Sequence, residues 1–152
     1  MLVFVPLSPS ELSHWATEGV RPVVGFTATA AFLSAFGLSS SDSEDADLTL
    51  LEVAGIAALL EHGQRLVAVC DADGHGVEPA EFGAVDAGEV AWAAVESLFC
   101  DDEAGADRAG AARAALGAVD LEEAWDAEAT SELLRSTELL WHGSTEWARL
   151  TH

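Results

Sequence analysis

The sequence predicts a single α+β domain over residues 1–152, with a mixed sheet of about four to five strands packed with helices. Leu66–Cys70 is an unbroken apolar run, which is typical of a strand buried on both faces. Leu48–His62 is apolar almost all round its helical circumference, which places that helix in a core. The glycine at position 55 predicts that another backbone passes close to it. Strand and helix patterns alternate without a strict βαβ period, and this favours the α+β class.

The part of the chain before the core helix predicts two strands, two helices and a loop. Leu2–Val5 is apolar and forms the first strand, and Ser8–Glu11 has the pattern of a capping box that begins a helix. Val24–Thr29 alternates like a half-buried or edge strand, and Ala30–Phe36 predicts a short helix. Residues 39–47 are serine-rich and acidic, so we expect them to form a mobile loop that joins elements of one core.

The part of the chain after the core strand predicts two further strands and three helical segments. Residues 71–88 are rich in turn-forming residues, and Val95–Cys100 then predicts a strand. Residues 103–116 are alanine-rich and contain two glycines, which indicates a helix that either packs closely or is marginally stable. Helical residues follow between Leu121 and Arg135. A buried strand at Leu139–Trp141 and a last helical turn are predicted at the end of the chain.

Charge is the strongest compositional feature of the chain. Its 27 acidic residues against 6 basic residues give a net charge of −21. A surface this negative repels nucleic-acid phosphates and anionic lipids, so we expect no direct nucleic-acid partner and no membrane. It would attract a basic surface on another protein. An acidic surface that only keeps the protein in solution, or one adapted to high salt, remains an open alternative.

The lack of a recognisable targeting signal, together with two cysteines expected to be unpaired, predicts a cytoplasmic protein. Met1–Pro6 is apolar but lacks the basic region of a signal peptide, and no apolar stretch reaches the roughly 18 residues of a membrane span. We expect Cys70 and Cys100 to be buried, unpaired thiols. A nucleophilic pair of Cys100 with His142 is the alternative, because both residues lie at strand ends.

Short motifs in a fixed order carry a resemblance to a known family. They are the opening Met1–Pro6, a Thr-Ala pair at Thr27, the strand Arg65–Val69, the Val-x-Ser-x-Phe-Cys-Asp run from Val95, and the closing Glu138–His142. Together they resemble a family of small acidic actinobacterial proteins without an assigned function. The family's acidic-aromatic block before the core helix is replaced by the Ser/Asp segment, and a frequent Tyr after the closing Trp is a His here. The resemblance implies a fold and a lineage, and no chemistry.

The segment from Asp71 to Glu81 has the most site-like pattern in the chain. Asp71 and Asp73 stand at the first and third positions of a loop, followed by Gly and later acids, as in a calcium loop. However, the fifth position is His75, the last acid falls one place early, and the loop follows a strand. We therefore expect a solvated turn and no bound metal, with Asp71, Asp73 and His75 as the weak candidates.

Two features predict protein-binding residues. The acidic segment offers four carboxylates for a basic partner: Asp42, Glu44, Asp45 and Asp47. Of the five tryptophans, Trp15, Trp125 and Trp141 lie among apolar residues and are expected in the core. Trp147, near the end of the chain, is the candidate for an exposed interface anchor.

The predicted function is that of a non-catalytic cytoplasmic binding or regulatory module that recognises a basic surface on another protein. The sequence contains no motif for a catalytic triad, a phosphate loop or a dinucleotide, so no catalytic residue and no cofactor are predicted. The alternatives are a small enzyme or metal or ligand binder that uses the Asp71–Glu81 loop, and a structural subunit of a larger assembly. The oligomeric state is not defined by the sequence.

Overall fold

Seven β-strands form one sheet, and every neighbouring pair of strands is antiparallel. The structure is a computed structural model and describes residues 1–151. Within those residues the strand order is β4-β5-β2-β1-β3-β6-β7. The strands are β1 (Leu2–Pro6), β2 (Val20–Phe26), β3 (Leu66–Asp71), β4 (His75–Gly76), β5 (Ala84–Ala91), β6 (Val95–Cys100) and β7 (Leu140–Gly143). The α+β class is confirmed, but the sheet has more strands than the predicted four to five and is antiparallel, not mixed.

Helices cover the sheet on both faces. Over residues 1–151 the α-helices are α1 (Pro9–Glu18), α2 (Ala30–Phe36), α3 (Ser43–His62), α4 (Glu103–Leu116), α5 (Leu121–Asp126) and α6 (Glu128–Ser136). Short 3-10 segments occupy Ala80–Phe82, Trp92–Ala94 and Ser144–Leu150. No helix in the described part of the chain combines the length and the apolar character that crossing a bilayer requires.

β4 and the first part of β5 lie within residues 71–88, which the sequence analysis treated as turns. Gly88, within β5, has φ 62°, and β2 has an irregular register between Val23 and Val24 opposite it. A glycine in the left-handed region together with a register shift interrupts the alternation by which a strand is recognised in sequence. β5 is therefore defined by its pairing with β2, which is a long-range contact.

The capping box at the start of α1 is confirmed. The Ser8 side chain accepts a hydrogen bond from the Glu11 backbone N–H at 3.1 Å, and the Glu11 carboxylate accepts one from the Ser8 backbone N–H at 2.9 Å. The same carboxylate lies 3.2 Å from Arg21 and 3.1 Å from His62. Glu11 thus joins the start of α1 to β2 and to the end of α3.

The acidic loop is shorter than predicted. Only residues 39–42 of the predicted segment 39–47 lie outside a helix, because α3 begins at Ser43. The Asp42 carboxylate accepts hydrogen bonds from the backbone N–H and the hydroxyl of Ser39, at 2.8 and 3.0 Å. Glu44 and Asp45 stand in the first turn of α3, where negative charge is favoured by the helix dipole. Local electrostatics therefore extends the helix into the acidic segment.

β3 lies at the centre of the core, as its apolar run predicts. Every side chain of Leu66–Cys70 is buried. One face of the sheet packs against α1, where Trp15 is fully buried and donates a hydrogen bond to the carbonyl of Val90 at 2.9 Å. The other face packs against α2 and α3, and a further apolar cluster fills the space between α3, α4, α5 and α6. The strand buried on both faces is confirmed.

Candidate functional site

The two edges of the sheet expose different side chains. β4 forms one edge with only His75 and Gly76. β7 forms the other edge and carries Leu140 and Trp141, which are 44% and 64% exposed. Within residues 1–151, β7 pairs with β6 alone. A free edge strand with exposed apolar side chains is a typical place for another chain to bind.

The exposed tryptophan is Trp141, and the prediction of an exposed Trp147 is corrected. Trp147 is half-buried in its 3-10 segment and packs against the core cluster that contains Trp15. The sequence analysis placed Trp141 in the core because its neighbours in the chain are apolar. The physical reason for the difference is the strand order, since β7 lies at the edge of the sheet and pairs on one side only within residues 1–151. Strand order is a tertiary property that local apolarity does not reveal.

An apolar groove of about 390 Å³ lies beside β7, between α3, α6 and β6. It is lined by Leu48, Leu51, Glu52, Arg65, Phe99, Leu134, Thr137, Glu138 and Leu139. Trp141 is the cross-strand partner of Phe99, and paired side chains lie on the same face of a sheet. Trp141 therefore extends the apolar wall of the groove toward the sheet edge. We call the groove and β7 together the β7 surface.

A buried ion pair holds one side of the groove in place. The side chains of Arg65 and Asp101 are 3% and 5% exposed. Arg65 donates from Nε to one Asp101 oxygen at 2.9 Å and from Nη2 to the other, and Nη2 also donates to the Thr137 hydroxyl at 2.8 Å. The Thr137 hydroxyl in turn donates to the carbonyl of Leu133 at 2.6 Å. These bonds fix the segment that leads from α6 into β7.

Space for this arrangement is provided by Gly55 of α3. A Cβ at that position would lie 3.3 Å from Leu139 and 3.5 Å from the aliphatic part of Arg65. The predicted close approach at Gly55 is therefore made by two side chains, and not by a backbone. The sequence analysis missed the Arg65–Asp101 pair, although a single arginine directly before a fully apolar strand was a usable signal.

Two carboxylates in the groove have no cationic partner in the described part of the chain. They are Glu52 and Glu138, and neither lies within ion-pairing distance of a basic side chain there. Glu52 is half-buried, and burial raises its pKa although the nearby Arg65 opposes that effect. Arg65 is already bound to Asp101, so the groove keeps an excess of negative charge. Such a site suits a cationic group that arrives together with apolar atoms.

The predicted acidic residues lie next to this groove. Asp45, Leu48 and Glu52 are spaced three and four residues apart, so they share one face of α3. The rest of the acidic segment, Asp42, Glu44 and Asp47, occupies the same end of the helix. Hydrogen bonds from Ser39 lower the pKa of Asp42, whereas burial raises the pKa of Asp47. The acidic segment therefore leads directly into the β7 surface.

The weak metal candidates lie between the end of β3 and the start of β4. Asp71 accepts a hydrogen bond from the amino group of Met1 at 2.9 Å, and Asp73 lies 3.8 Å from the same group. Hydrogen bonding to Asp71 raises the pKa of that amino group. His75 belongs to β4 and pairs with Asp86 of β5. No group of three His, Cys, Asp or Glu side chains that could hold a metal ion occurs among residues 1–151.

The two cysteines are unpaired thiols, as predicted, but only Cys70 is buried and Cys100 is partly exposed. Cys70 is buried, and burial together with the charges of Asp71 and Glu96 raises its pKa to about 11. The Cys100 sulfur lies 3.4 Å from His142 Nε2, so the structure brings together the pair that the sequence left open. However, burial and the neighbouring acids raise the pKa of Cys100 as well. The reactive form of cysteine is the thiolate, so this environment gives no nucleophilic activation.

The fold and the β7 surface define an acidic α+β protein with one antiparallel sheet and an exposed aromatic edge. The chain belongs to a family of unknown function (DUF6912), whose model matches residues 1–151. Membership of a family without an assigned function agrees with the resemblance carried by the sequence motifs. Comparisons with curated proteins and with solved structures each gave no match.

Proposed function

We propose that this protein is a non-catalytic binding module that docks a basic segment of another protein at the β7 surface. The observation that carries the proposal is the exposed Trp141 beside a groove whose carboxylates, Glu52 and Glu138, lack cationic partners within residues 1–151. A segment with one large apolar side chain and flanking Arg or Lys residues would satisfy both features. Its apolar side chain would cover Trp141, and its cations would pair with the two carboxylates.

Energetic considerations support a ligand of this kind. A half-buried carboxylate without a partner costs stability, because burial disfavours its charged form. Glu52 is such a group, and a bound cation would remove that cost. Exposed tryptophans are frequent energetic centres of protein interfaces. The net charge of −21 would also accelerate the approach of a basic partner.

The proposal is tested by selecting peptides from a displayed random library with the purified protein. Wild type should enrich peptides that combine Arg or Lys with a large apolar residue. Val24→Ser is the matched control, since Val24 is also an exposed apolar strand residue but lies on β2, away from β7. It should retain the same peptides, whereas Trp141→Ser should lose them. A library that yields no basic peptides, or peptides that Trp141→Ser still binds, would contradict the proposal.

The role of the carboxylates is tested with the selected peptides. The double variant Glu52→Gln/Glu138→Gln should raise the Kd about tenfold and make it less sensitive to salt. Glu89→Gln, at an exposed acid on β5, should leave the Kd unchanged. Glu52→Gln alone should be more stable than wild type at neutral pH, because it removes a desolvated charge. Equal affinities of the double variant and Glu89→Gln would show that the groove carboxylates do not bind the ligand.

A further inference from the structure

We infer that the docked segment binds as an extended strand along the outer edge of β7 and adds an eighth strand to the sheet. The inference rests on the proposed function and specifies the conformation of its ligand. It is carried by three features of the β7 surface. These are the open backbone of β7, the alternation of its side chains, and the distribution of charge around it.

The backbone of β7 is free on its outer side within the described part of the chain. Alternate residues of an edge strand direct their N–H and C=O groups away from the sheet, where an added strand can bind them. The inner side of β7 is occupied by β6 over the register from Leu140 to Gly143. Gly143 ends the available edge, because its N–H donates to the Glu146 carboxylate at 2.8 Å. Over residues 1–151, no other strand pairs with β7.

The side chains on the groove face of β7 match an extended ligand whose side chains alternate between the two faces of the sheet. Trp141 stands beside Phe99 on that face, and Leu139, two residues earlier, lines the groove. In an added strand, every second side chain would lie on the same face, next to Trp141. Ligand residues two places from that contact would lie on the same face, beside the groove that Glu52 and Glu138 line. An extended segment therefore places apolar and basic groups where the surface requires them.

Charge favours a different protein over a second copy of this chain as the occupant. Pairing β7 with β7 of a second copy would bring the two Glu138 carboxylates, which have no cationic partner within residues 1–151, toward one short interface, whereas Glu146 is paired with Arg149 at 3.0 Å in each copy. Each copy carries a net charge of −21, so the two would repel each other. The opposite edge suits an apolar strand less well, since β4 consists of His75 and Gly76 and the part of β5 beyond it exposes no large apolar side chain. The preferred occupant is thus a basic strand from a different protein.

The experiment that tests this binding mode is an N-methyl scan of a selected peptide, measured by calorimetric titration against the wild-type protein. Methylation removes one backbone N–H at a time. Strand addition predicts a loss of affinity of about tenfold or more at every second position, where the N–H donates to β7, and small effects at the positions between. The intervening positions are matched controls, because methylation restricts the peptide there without removing a bond to β7.

The outcomes separate this inference from the proposed function. A uniform or contiguous pattern of losses, with binding still dependent on Trp141, would overturn strand addition and leave the binding module standing. Failure of all basic peptides to bind would overturn both. Sedimentation of the free protein adds a second readout: a monomer agrees with the inference, and a dimer that Trp141→Ser dissociates would assign the edge to a second copy.

Discussion

At the scale of single residues, Arg65 links the core to the proposed binding surface. Its guanidinium binds both oxygens of Asp101 and the hydroxyl of Thr137, just before β7 begins. A buried pair of this kind adds little net stability compared with apolar residues, but loss of one partner leaves an uncompensated charge. The pair therefore acts mainly to fix the position of the chain at the groove.

The Arg65–Asp101 pair gives a direct stability prediction. Asp101→Asn should lower the free energy of unfolding by about 3–5 kcal/mol, because the buried guanidinium loses its counter-charge. Arg65→Met should also be destabilising, and the double variant should lose clearly less than the sum of the two single variants. Urea denaturation of the four proteins measures this coupling. Strictly additive losses would show that the two side chains do not stabilise each other.

Cys70 makes the stability of the protein sensitive to alkaline pH. Its pKa is raised from 9.0 to about 11, mainly by burial, so the folded protein holds a proton that the unfolded chain releases. The contribution of Cys70 to stability is unchanged below pH 9, falls between pH 9 and 11, and levels off above that range. The full loss from this group is on the order of 3 kcal/mol. The chain has no tyrosine, and its six basic residues are all arginine, so the main competing groups are Cys100 and the Met1 amino group, whose pKa values are also raised.

Denaturation at about pH 8, 10 and 11 checks the role of Cys70. Cys70→Ala should remove most of the alkaline decline, although the cavity it leaves lowers stability at every pH. Cys100→Ala is the matched control and should retain most of the decline. The same slope in wild type and in Cys70→Ala would contradict this assignment.

At the scale of elements, sequence reasoning succeeded where local chemistry decides the structure. The capping box at Ser8 and the buried strand Leu66–Cys70 follow from their own residues, and both are present. It failed where pairing decides: β5 contains a left-handed glycine, and β7 lies at an edge that only the strand order defines. The exposure of Trp141, and with it the candidate site, depends on that order. The acids beside the groove could be predicted, but the groove itself could not.

Two glycines in α4 allow a matched test of packing against helix propensity. Gly105 is buried, and a methyl group there would overlap the Asp101 carboxylate that Arg65 holds in place. Gly110 is exposed, and a methyl group there would point into open space. Gly110→Ala should raise stability by up to about 1 kcal/mol through helix propensity. Gly105→Ala should lower it by about 1–3 kcal/mol through overpacking. Thermal melts that order the two variants the other way would contradict the close approach at Gly105.

At the scale of the whole molecule, part of the net charge of −21 lies close to the β7 surface. Asp45 and Glu52 lie on one face of α3 with Leu48 between them, so negative charge is present both at the start of that helix and at the groove. A basic ligand would be guided toward these charges by long-range attraction, which mainly affects the rate of association. The same attraction weakens as salt shortens the screening length.

Electrostatic steering is tested with two variants, in each of which four acidic residues are replaced by the corresponding amides. The first neutralises the acids at the start of α3, namely Asp42, Glu44, Asp45 and Asp47. The second neutralises acids near the opposite edge of the sheet, namely Glu78, Glu81, Asp86 and Glu89. The first variant should slow association of a selected basic peptide and flatten its salt dependence more than the second, since the steering charges lie beside the β7 surface. Stopped-flow association rates over a range of salt decide this, and equal rates would assign steering to the net charge alone.

Mapping of a bound peptide by NMR tests the central claim most directly. The N–H correlation spectrum of the labelled protein should change at the indole and backbone N–H of Trp141 and at the other amides of β7 when a selected basic peptide is added. Resonances of Val24 and of β4 should stay in place. Changes confined to the acidic residues 42–47, or centred on the β4 edge, would contradict binding at the β7 surface.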